Sequence, residues 1–368
     1  MKSWEKKWKD NLKAIEDVSW DIDKEEKDIL KVVSERYPMS IPKYYYNLID
    51  ENDPNDPIKK LCFPNAFEAD LMGDTDTSGE SSNTKMPGLQ HKYSTTALVL
   101  TTSACFMYCR HCFRKRMVGS NSDEINNRMK ETIKYLKEHE EVNNVLLTGG
   151  DSFCMSNEQI ENYLKNLVEI EHLDFIRFGT RALVVFPERI YGDQELIDIL
   201  AKYNDKKKIV IITQFNHPRE LTVEAKRAID MLLKKGIAIN NQAVILKGVN
   251  DDPKVLAELL NGLTRVGINP YYVFQCRPVK GAKAGFQKTL LESYELVKET
   301  KQYLNGIGKR FKLIMSHVQG KIEIIGIENN KMIFKFHQTK YIDNNERIFI
   351  REIDVNGKWL DDKLNFIE

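Results

Sequence analysis

The sequence predicts an α/β fold in which a parallel sheet carries its helices on the outside. Between about residues 97 and 276, six short β-rich runs alternate with longer segments of helical periodicity. The runs are ALVLTTS, NVLLTG, FIRFGT, KIVIITQF, AINNQAVIL and YYVFQC. The segments between them, among them residues 127–138, 157–168, 222–235 and 252–263, repeat their apolar positions every three or four residues. The alternation stops on both sides of this block, with charged helical sequence before it and a β-rich stretch after it. Strands that alternate with helices build a parallel sheet whose faces the helices cover. A closed eight-stranded barrel, an incomplete barrel and an open doubly wound sheet all satisfy that order. All three gather active groups at the carboxyl ends of their strands.

Taken in chain order, residues 1–90 read as a helical extension. Trp4, Trp8, Leu12 and Ile15 recur at helical spacing, and a second such stretch covers residues 25–35. Residues 52–57 are turn-rich, and the polar segment GDTDTSGESSNTKMPG at residues 73–88 reads as a solvated linker. Residues 91–305 hold the β/α alternation. Residues 306–368, with KIEIIGIENNKMIFKF and ERIFIREIDVNG, form a β-rich C-terminal segment.

A chain of 368 residues with 42% hydrophobic content can bury a substantial core. Its 55 basic and 54 acidic residues leave a net charge of +1, which offers no electrostatic case for nucleic acid. No apolar run approaches the roughly 18–20 residues of a membrane-spanning helix, and the N-terminus is too charged for a secretory signal. A cytoplasmic protein is expected. Its six cysteines are then thiols or metal ligands instead of structural disulfides.

Three of the six fall in eight residues of the segment TTSACFMYCRHCFRKRM, spaced C-x3-C-x2-C at Cys105, Cys109 and Cys112. They follow the first β-rich run and so sit on a loop at a strand's carboxyl end. Three thiolates on one loop ligate three irons of a [4Fe–4S] cube and leave the fourth iron open to another ligand. Buried thiols, or a zinc site with a distant fourth ligand, are the alternatives; zinc more often takes paired C-x2-4-C knuckles.

Further polar groups close the following strands. Gly149, Gly150 and Asp151 end the second run, where glycines admit a ligand to the backbone and a carboxylate accepts from an ammonium. A plain turn satisfies the same three residues. Arg181 closes the third run, and its planar fork suits a carboxylate. His217 closes the fourth and Gln242 lies in the fifth. Their recurrence at successive strand ends favours one shared site.

CFMYCRHC resembles the signature of the radical S-adenosylmethionine superfamily, with His111 where that family usually carries an aromatic ring. The resemblance implies that the amino and carboxylate groups of S-adenosylmethionine chelate the open iron, and that the reduced cluster breaks its S–C5′ bond. The 5′-deoxyadenosyl radical so formed abstracts hydrogen from a substrate. PGLQHKY, YCRHCFRKRMVG, VLLTGGD, TQFNHP, LKGVND and PYYVFQC together resemble the lysine 2,3-aminomutase family, in its order, over roughly residues 87–276. The family implies an incomplete (β/α)6-type radical SAM barrel, homo-oligomeric assembly, pyridoxal phosphate and migration of an amino group between neighbouring carbons. It also implies a cellular electron donor such as flavodoxin or ferredoxin. His111, Gly149, Gly150, Asp151, Arg181, His217 and Gln242 would be cofactor-binding, and Arg114 would take the α-carboxylate of the substrate.

Three departures qualify the resemblance. The family holds pyridoxal phosphate as a Schiff base on a lysine in a block like PGGGGK; the counterpart here is SHVQGK, with Lys321 and one glycine. A block like HRYPDR, whose arginines help hold the phosphate, is here HKYSTT, so Lys92 and Thr96 stand in their places. Lysine-specific members use two aspartates, in blocks like QCD and VDAP, to bind the substrate ammonium. Arg277 and Ser316 stand here, and Arg277 repels an ammonium but suits an anion. The sequence therefore points away from lysine and tips slightly against pyridoxal phosphate. It leaves an aminomutase for an acidic or neutral amino acid beside a pyridoxal phosphate–independent radical enzyme acting on a carboxylate-bearing substrate. Cys109→Ala is expected to lose most of its iron after reconstitution with iron and sulfide; unchanged iron content refutes the cluster assignment.

Overall fold

The six β-rich runs form strands β3 (Thr96–Thr102), β4 (Asn144–Gly149), β5 (Phe175–Gly179), β6 (Lys208–Thr213), β7 (Ala238–Val244) and β8 (Asn269–Phe274). A computed structural model describes residues 2–120, 123–344 and 346–368 of the chain. All six strands pair in parallel with their sequence neighbours, and β9 (Lys312–His317) pairs in parallel with β8. Strand order follows chain order without reversal, which rules out the doubly wound alternative. Antiparallel strands extend both edges: β1 (Thr84–Met86) and β2 (Leu89–Tyr93) beside β3, then β10 (Gly320–Glu328), β11 (Lys331–Thr339) and β12 (Ile348–Glu352) beyond β9. The sheet therefore starts at Thr84, ahead of residue 91, and β1 and β12 end it unpaired among the described residues. The wall is an incomplete barrel. Side chains span its gap: Lys92 of β2 donates to the carbonyl of His317 on β9 at 2.8 Å, and Lys321 of β10 lies 4.6 Å from the centre of the Tyr93 ring.

A helix of ten or more residues outside the wall follows each strand from β3 to β8: Met129–Glu138, Asn157–Leu167, Gln194–Asn204, Val223–Leu233, Pro253–Arg265 and Leu290–Thr300. Their starts are written in the sequence. Ser156 and Gln159 form a capping box, as do Thr289 and Glu292, while Asp252 accepts from the amides of Lys254 and Val255 just ahead of Pro253. Leu256, Leu259, Leu260 and Leu263 show the three–four spacing that turns one face of such a helix into the core.

The N-terminal extension departs from its sequence reading. The first helix covers only Ser3–Lys9. Leu12 instead exchanges backbone hydrogen bonds with Ile41, both 2.9 Å, and Ile15 starts a short 3₁₀ turn. Trp4, Leu12 and Ile15 are all buried, so their spacing reports burial without a continuous helix. The second stretch is a helix, Lys24–Arg36. The segment at residues 73–88 is not a solvated linker: Thr77, Ser78, Glu80 and Asn83 are buried. Its charge explains this, because Glu80 is drawn inward by Arg114 and Arg116, each 2.7 Å away.

This extension holds the cysteine loop from below. The amides of Tyr108 and Arg110 donate to the carbonyls of Ser40 and Leu61, and Asn11 Nδ2 donates to the carbonyl of Phe106 at 2.7 Å. Glu68, fully buried, takes the fork of Arg110 at 2.6 and 2.9 Å and the ammonium of Lys115 at 2.5 Å. Arg110 also reaches the carbonyls of Tyr37 and Pro38. Removing one carboxylate from a buried set leaves two cations uncompensated, which costs about 3–5 kcal/mol. Glu68→Ala is therefore expected to lower the unfolding free energy in denaturant by about that amount. A loss below about 1 kcal/mol, the scale of an exposed pair, contradicts the anchoring role.

Candidate active site

Alternate residues of the parallel strands face the barrel interior. Leu98 on β3, Leu146 and Thr148 on β4, Phe175, Arg177 and Gly179 on β5, Gln242 and Val244 on β7, and Tyr272 and Phe274 on β8 line one cavity of about 510 Å³. Cys105, Cys109 and Cys112 line the same cavity, above the carboxyl end of β3. Arg181 Nη1 donates to Cys109 Sγ at 2.6 Å, and the Arg114 amide donates to Cys112 Sγ at 3.4 Å. Burial pushes the Cys112 thiol up to about 11 and the Cys105 thiol well above its ordinary value. These thiols need a metal's charge to become thiolates. Among the described residues no three His, Cys, Asp or Glu side chains converge on a single ion. A [4Fe–4S] cube takes each thiolate at a different iron, and three thiols on one loop fit it.

The glycine motif has a structural reason of its own. Gly149 has φ +123°, and a Cβ there would meet the Thr102 carbonyl at 2.4 Å; at Gly150 it would meet the Ala104 carbonyl at 2.2 Å. Both glycines thus let β4 end against the segment that launches the cysteine loop. Asp151 lines the cavity, but its oxygens are engaged: Oδ1 accepts from Thr180 Oγ1 and the Phe153 amide, Oδ2 from the Arg181 amide.

Arg181 is positioned by Glu220 at 2.8 Å and by the carbonyl of Gln214 at 2.9 Å. His111 and Gln242 line the cavity. Burial and then Arg181 push the His111 imidazole down to about 3, so it is neutral, and its Nδ1 is buried without a partner. His217 is placed elsewhere. Its Nδ1 accepts from the Arg219 amide and caps the Pro218–Glu220 turn, and the ring is not part of the cavity wall. Gln214, three residues earlier at the same strand end, takes the wall position.

Arg114 also lines the cavity, and each of its three guanidinium nitrogens has a hydrogen-bond partner. Nε and Nη2 reach Glu80 Oε1 at 2.9 and 2.7 Å, and Nη1 reaches the Gly149 carbonyl at 3.2 Å. Burial works against the Glu80 charge, but Arg114 and Arg116 overcome it and pull the carboxyl down to about 2. Arg277 and Ser316, distant in sequence, touch: Arg277 Nη2 donates to Ser316 Oγ at 2.7 Å. Arg277 also donates to Ser78 Oγ and lies 4.2 Å from the centre of the Phe113 ring. Lys92 donates to the carbonyls of Ser78 and His317. Ser78 and Glu80, unmarked by any motif, thus reach cations on both sides of the cavity.

Lys321 enters from β10. Its Nζ donates to Gln338 Oε1 at 2.7 Å, and burial, followed by Arg177, Lys92 and Arg277, pushes it down to about 7. Arg177 escaped the sequence reading. Its signal was the alternation of FIRFGT, which puts Arg177 in phase with Gly179 on the interior face of β5.

Comparison with known proteins accords with this geometry. Residues 99–260 match the family model of the Radical SAM superfamily. A putative L-lysine 2,3-aminomutase of Aquifex aeolicus is 39% identical over 354 residues, 96% of this chain and 93% of that protein. The L-lysine 2,3-aminomutase of Clostridium subterminale is 37% identical, covering 77% of this chain and 67% of that protein. The glutamate 2,3-aminomutase of Clostridioides difficile is 37% identical, covering 77% of this chain and 66% of that protein. With three thiols poised for a cluster at the mouth of an incomplete barrel, and similarity that runs nearly the whole chain, the protein belongs to the lysine 2,3-aminomutase family of radical S-adenosylmethionine enzymes.

Proposed function

We propose that this radical S-adenosylmethionine enzyme is a 2,3-aminomutase for an amino acid with an acidic side chain, with pyridoxal phosphate held at Lys321. One observation carries the reading: Lys92, Arg177, Arg277 and Lys321 line the cavity with the cluster thiols, yet their hydrogen-bond partners are carbonyls, hydroxyls and side-chain amides. The cations nearer the cysteine loop differ, since Arg110, Arg114 and Arg181 each face a carboxylate. Buried cations that no carboxylate contacts are costly unless a bound anion completes them, and Glu80 acts on Arg277 and Lys92 only through space. A phosphate and a substrate carboxylate supply that charge together.

The cluster and S-adenosylmethionine, when bound, supply the 5′-deoxyadenosyl radical, and pyridoxal phosphate supplies the conjugated ring that carries a migrating amino group. The chain's residues do the rest. Lys321, neutral above about pH 7, offers a nucleophilic amine to an aldehyde at the ring-lined side of the cavity, beside Tyr93 and Tyr272. Arg277, braced by Ser316 and Ser78, presents its fork to a side-chain carboxylate where an ammonium would be repelled. Buried Phe286 lies against His111, 5.9 Å between ring centres, and helps keep water from the cluster side. The glutamate 2,3-aminomutase among the relatives supports an acidic substrate. The proposal includes a flavodoxin or ferredoxin as electron donor, a homo-oligomeric assembly and a cytoplasmic location. No helix among the described residues is long and apolar enough to cross a membrane.

Anaerobic reconstitution, reduction and addition of S-adenosylmethionine with single amino acids should give 5′-deoxyadenosine fastest with glutamate or aspartate. Arg277→Ala is expected to cut the preference for these over lysine by about 10- to 100-fold, the worth of a hydrogen bond to a charged group. A preference for lysine in the unmodified enzyme refutes the substrate class. Borohydride reduction with pyridoxal phosphate, read by peptide mass spectrometry, should modify Lys321. Labelling should rise as pH passes about 7, because burial lowers the amine from its ordinary 10.5 and frees the base earlier. 5′-Deoxyadenosine formation without Lys321 labelling at any pH would instead favour a pyridoxal phosphate–independent reaction on the same scaffold.

A further inference from the structure

We propose that Arg177 holds the phosphate of the group attached at Lys321; this rests on the Lys321 attachment proposed above. Arg177 lies in the middle of β5 and, with Phe175 and Gly179, faces the cavity. Its guanidinium donates to Asn144 Oδ1, while its Nε is shut off from solvent and has no partner. A buried donor left unpaired costs about 1–3 kcal/mol, more when the group is charged. Such a group in a native cavity calls for a ligand or an ordered water.

The surroundings choose between those two. Asn144 is fixed from its other side: its Nδ2 donates to Thr96 Oγ1 at 3.1 Å and to the Thr95 carbonyl at 3.0 Å. This turns Oδ1 toward Arg177, and the asparagine acts as a brace that leaves the cation uncompensated. The neighbouring titratable groups are cationic or neutral. Arg177 is the leading charge acting on Lys321, and the titratable groups that face Arg177 itself are the hydroxyls of Tyr271 and Tyr272, of which burial holds Tyr272 neutral. Other buried arginines are neutralised within the chain: Arg110 by Glu68, Arg114 by Glu80, Arg181 by Glu220 and Arg189 by Asp193. A neutral water would satisfy Nε but leave the charge standing. An anion satisfies both.

A phosphate suits the position better than the substrate's carboxylate. Arg277, with its two serine braces, already offers a carboxylate site. Arg177 acts on Lys321 more strongly than any other charge, with Lys92 next, so an anion carried on a group attached at Lys321 falls within the field of both cations. A dianion balances that surplus, and charge-assisted hydrogen bonds to it are roughly twice as strong as neutral ones.

The test uses the reconstituted full chain and two aldehydes that differ only in the phosphate, pyridoxal 5′-phosphate and pyridoxal. Binding is followed by the absorbance of the Lys321 adduct, and its site is fixed by borohydride trapping and mass spectrometry. The unmodified protein should favour the phosphorylated form by about 10- to 100-fold, the range expected for charged hydrogen bonds. Arg177→Gln should reduce that preference to a few-fold at most, with pyridoxal affinity and iron content unchanged. Arg177→Lys should restore part of it, and serves as the working variant if the glutamine form does not fold. An unchanged preference in Arg177→Gln, or an equal loss of both aldehydes, overturns the proposal. Failure of the unmodified chain to label at Lys321 removes the parent reading and this one with it. Labelling with an unaltered preference removes this one alone.

Discussion

The fold turns on one buried carboxylate. Glu68 accepts from both Arg110 and Lys115, which bracket Cys112, and it does so from the N-terminal extension instead of the barrel. The cysteine loop has little regular structure and cannot fix its own shape. Backbone bonds from Ser40 and Leu61, and the side chain of Asn11, complete the cradle. The extension is therefore part of the cluster site although none of its residues is a ligand. Desolvated charge is an expensive way to join two segments, but it is directional where apolar packing is not. Three thiols that are to meet three corners of one cube, as proposed for Cys105, Cys109 and Cys112, need that direction.

Charge divides the cavity in the same physical terms. On the cysteine side, Arg110, Arg114 and Arg181 are each paired with a carboxylate, from Glu68, Glu80 and Glu220 respectively. On the side of β2 and β10, Lys92, Arg277 and Lys321 are braced by neutral groups, and no carboxylate takes up their donors. The same residue type thus serves two purposes within one enclosure, and its partner tells them apart. Arg114 illustrates the division: with Glu80 on its fork, it anchors the segment around Ser78 and Glu80 against the wall.

The barrel was legible because its signals are local and periodic. The alternation of β-rich and amphipathic runs gave all six strands, and caps such as Ser156 and Asp252 mark where helices begin. The cysteine loop was legible because thiols crowded into eight residues have few explanations. What failed was non-local. The spacing of Trp4, Leu12 and Ile15 reported burial, but only the pairing of Leu12 with Ile41 decides against a helix there. Residues 73–88 look like a solvated linker until Arg114 and Arg116, more than thirty positions away, draw Glu80 inward. His217 looked like a site residue because it ends a strand, whereas its Nδ1 serves the next amide turn. Arg177 could have been found from strand phase alone, since an arginine in step with an interior glycine has to face inward.

On the proposed reading, in which Arg277 takes the side-chain carboxylate, its contact with Ser316 also constrains how such an enzyme can change substrate over evolutionary time. The two positions act as one unit, so the order of substitution matters. Replacing Ser316 by aspartate first would set a carboxylate against the guanidinium, and the pair would neutralise itself and close the pocket to either charge. Replacing Arg277 first would leave a weak, open site that a second change could turn toward cations. One route between acidic and basic substrates passes through a feeble generalist and the other through a dead intermediate. The 2.7 Å contact is what makes the two routes unequal.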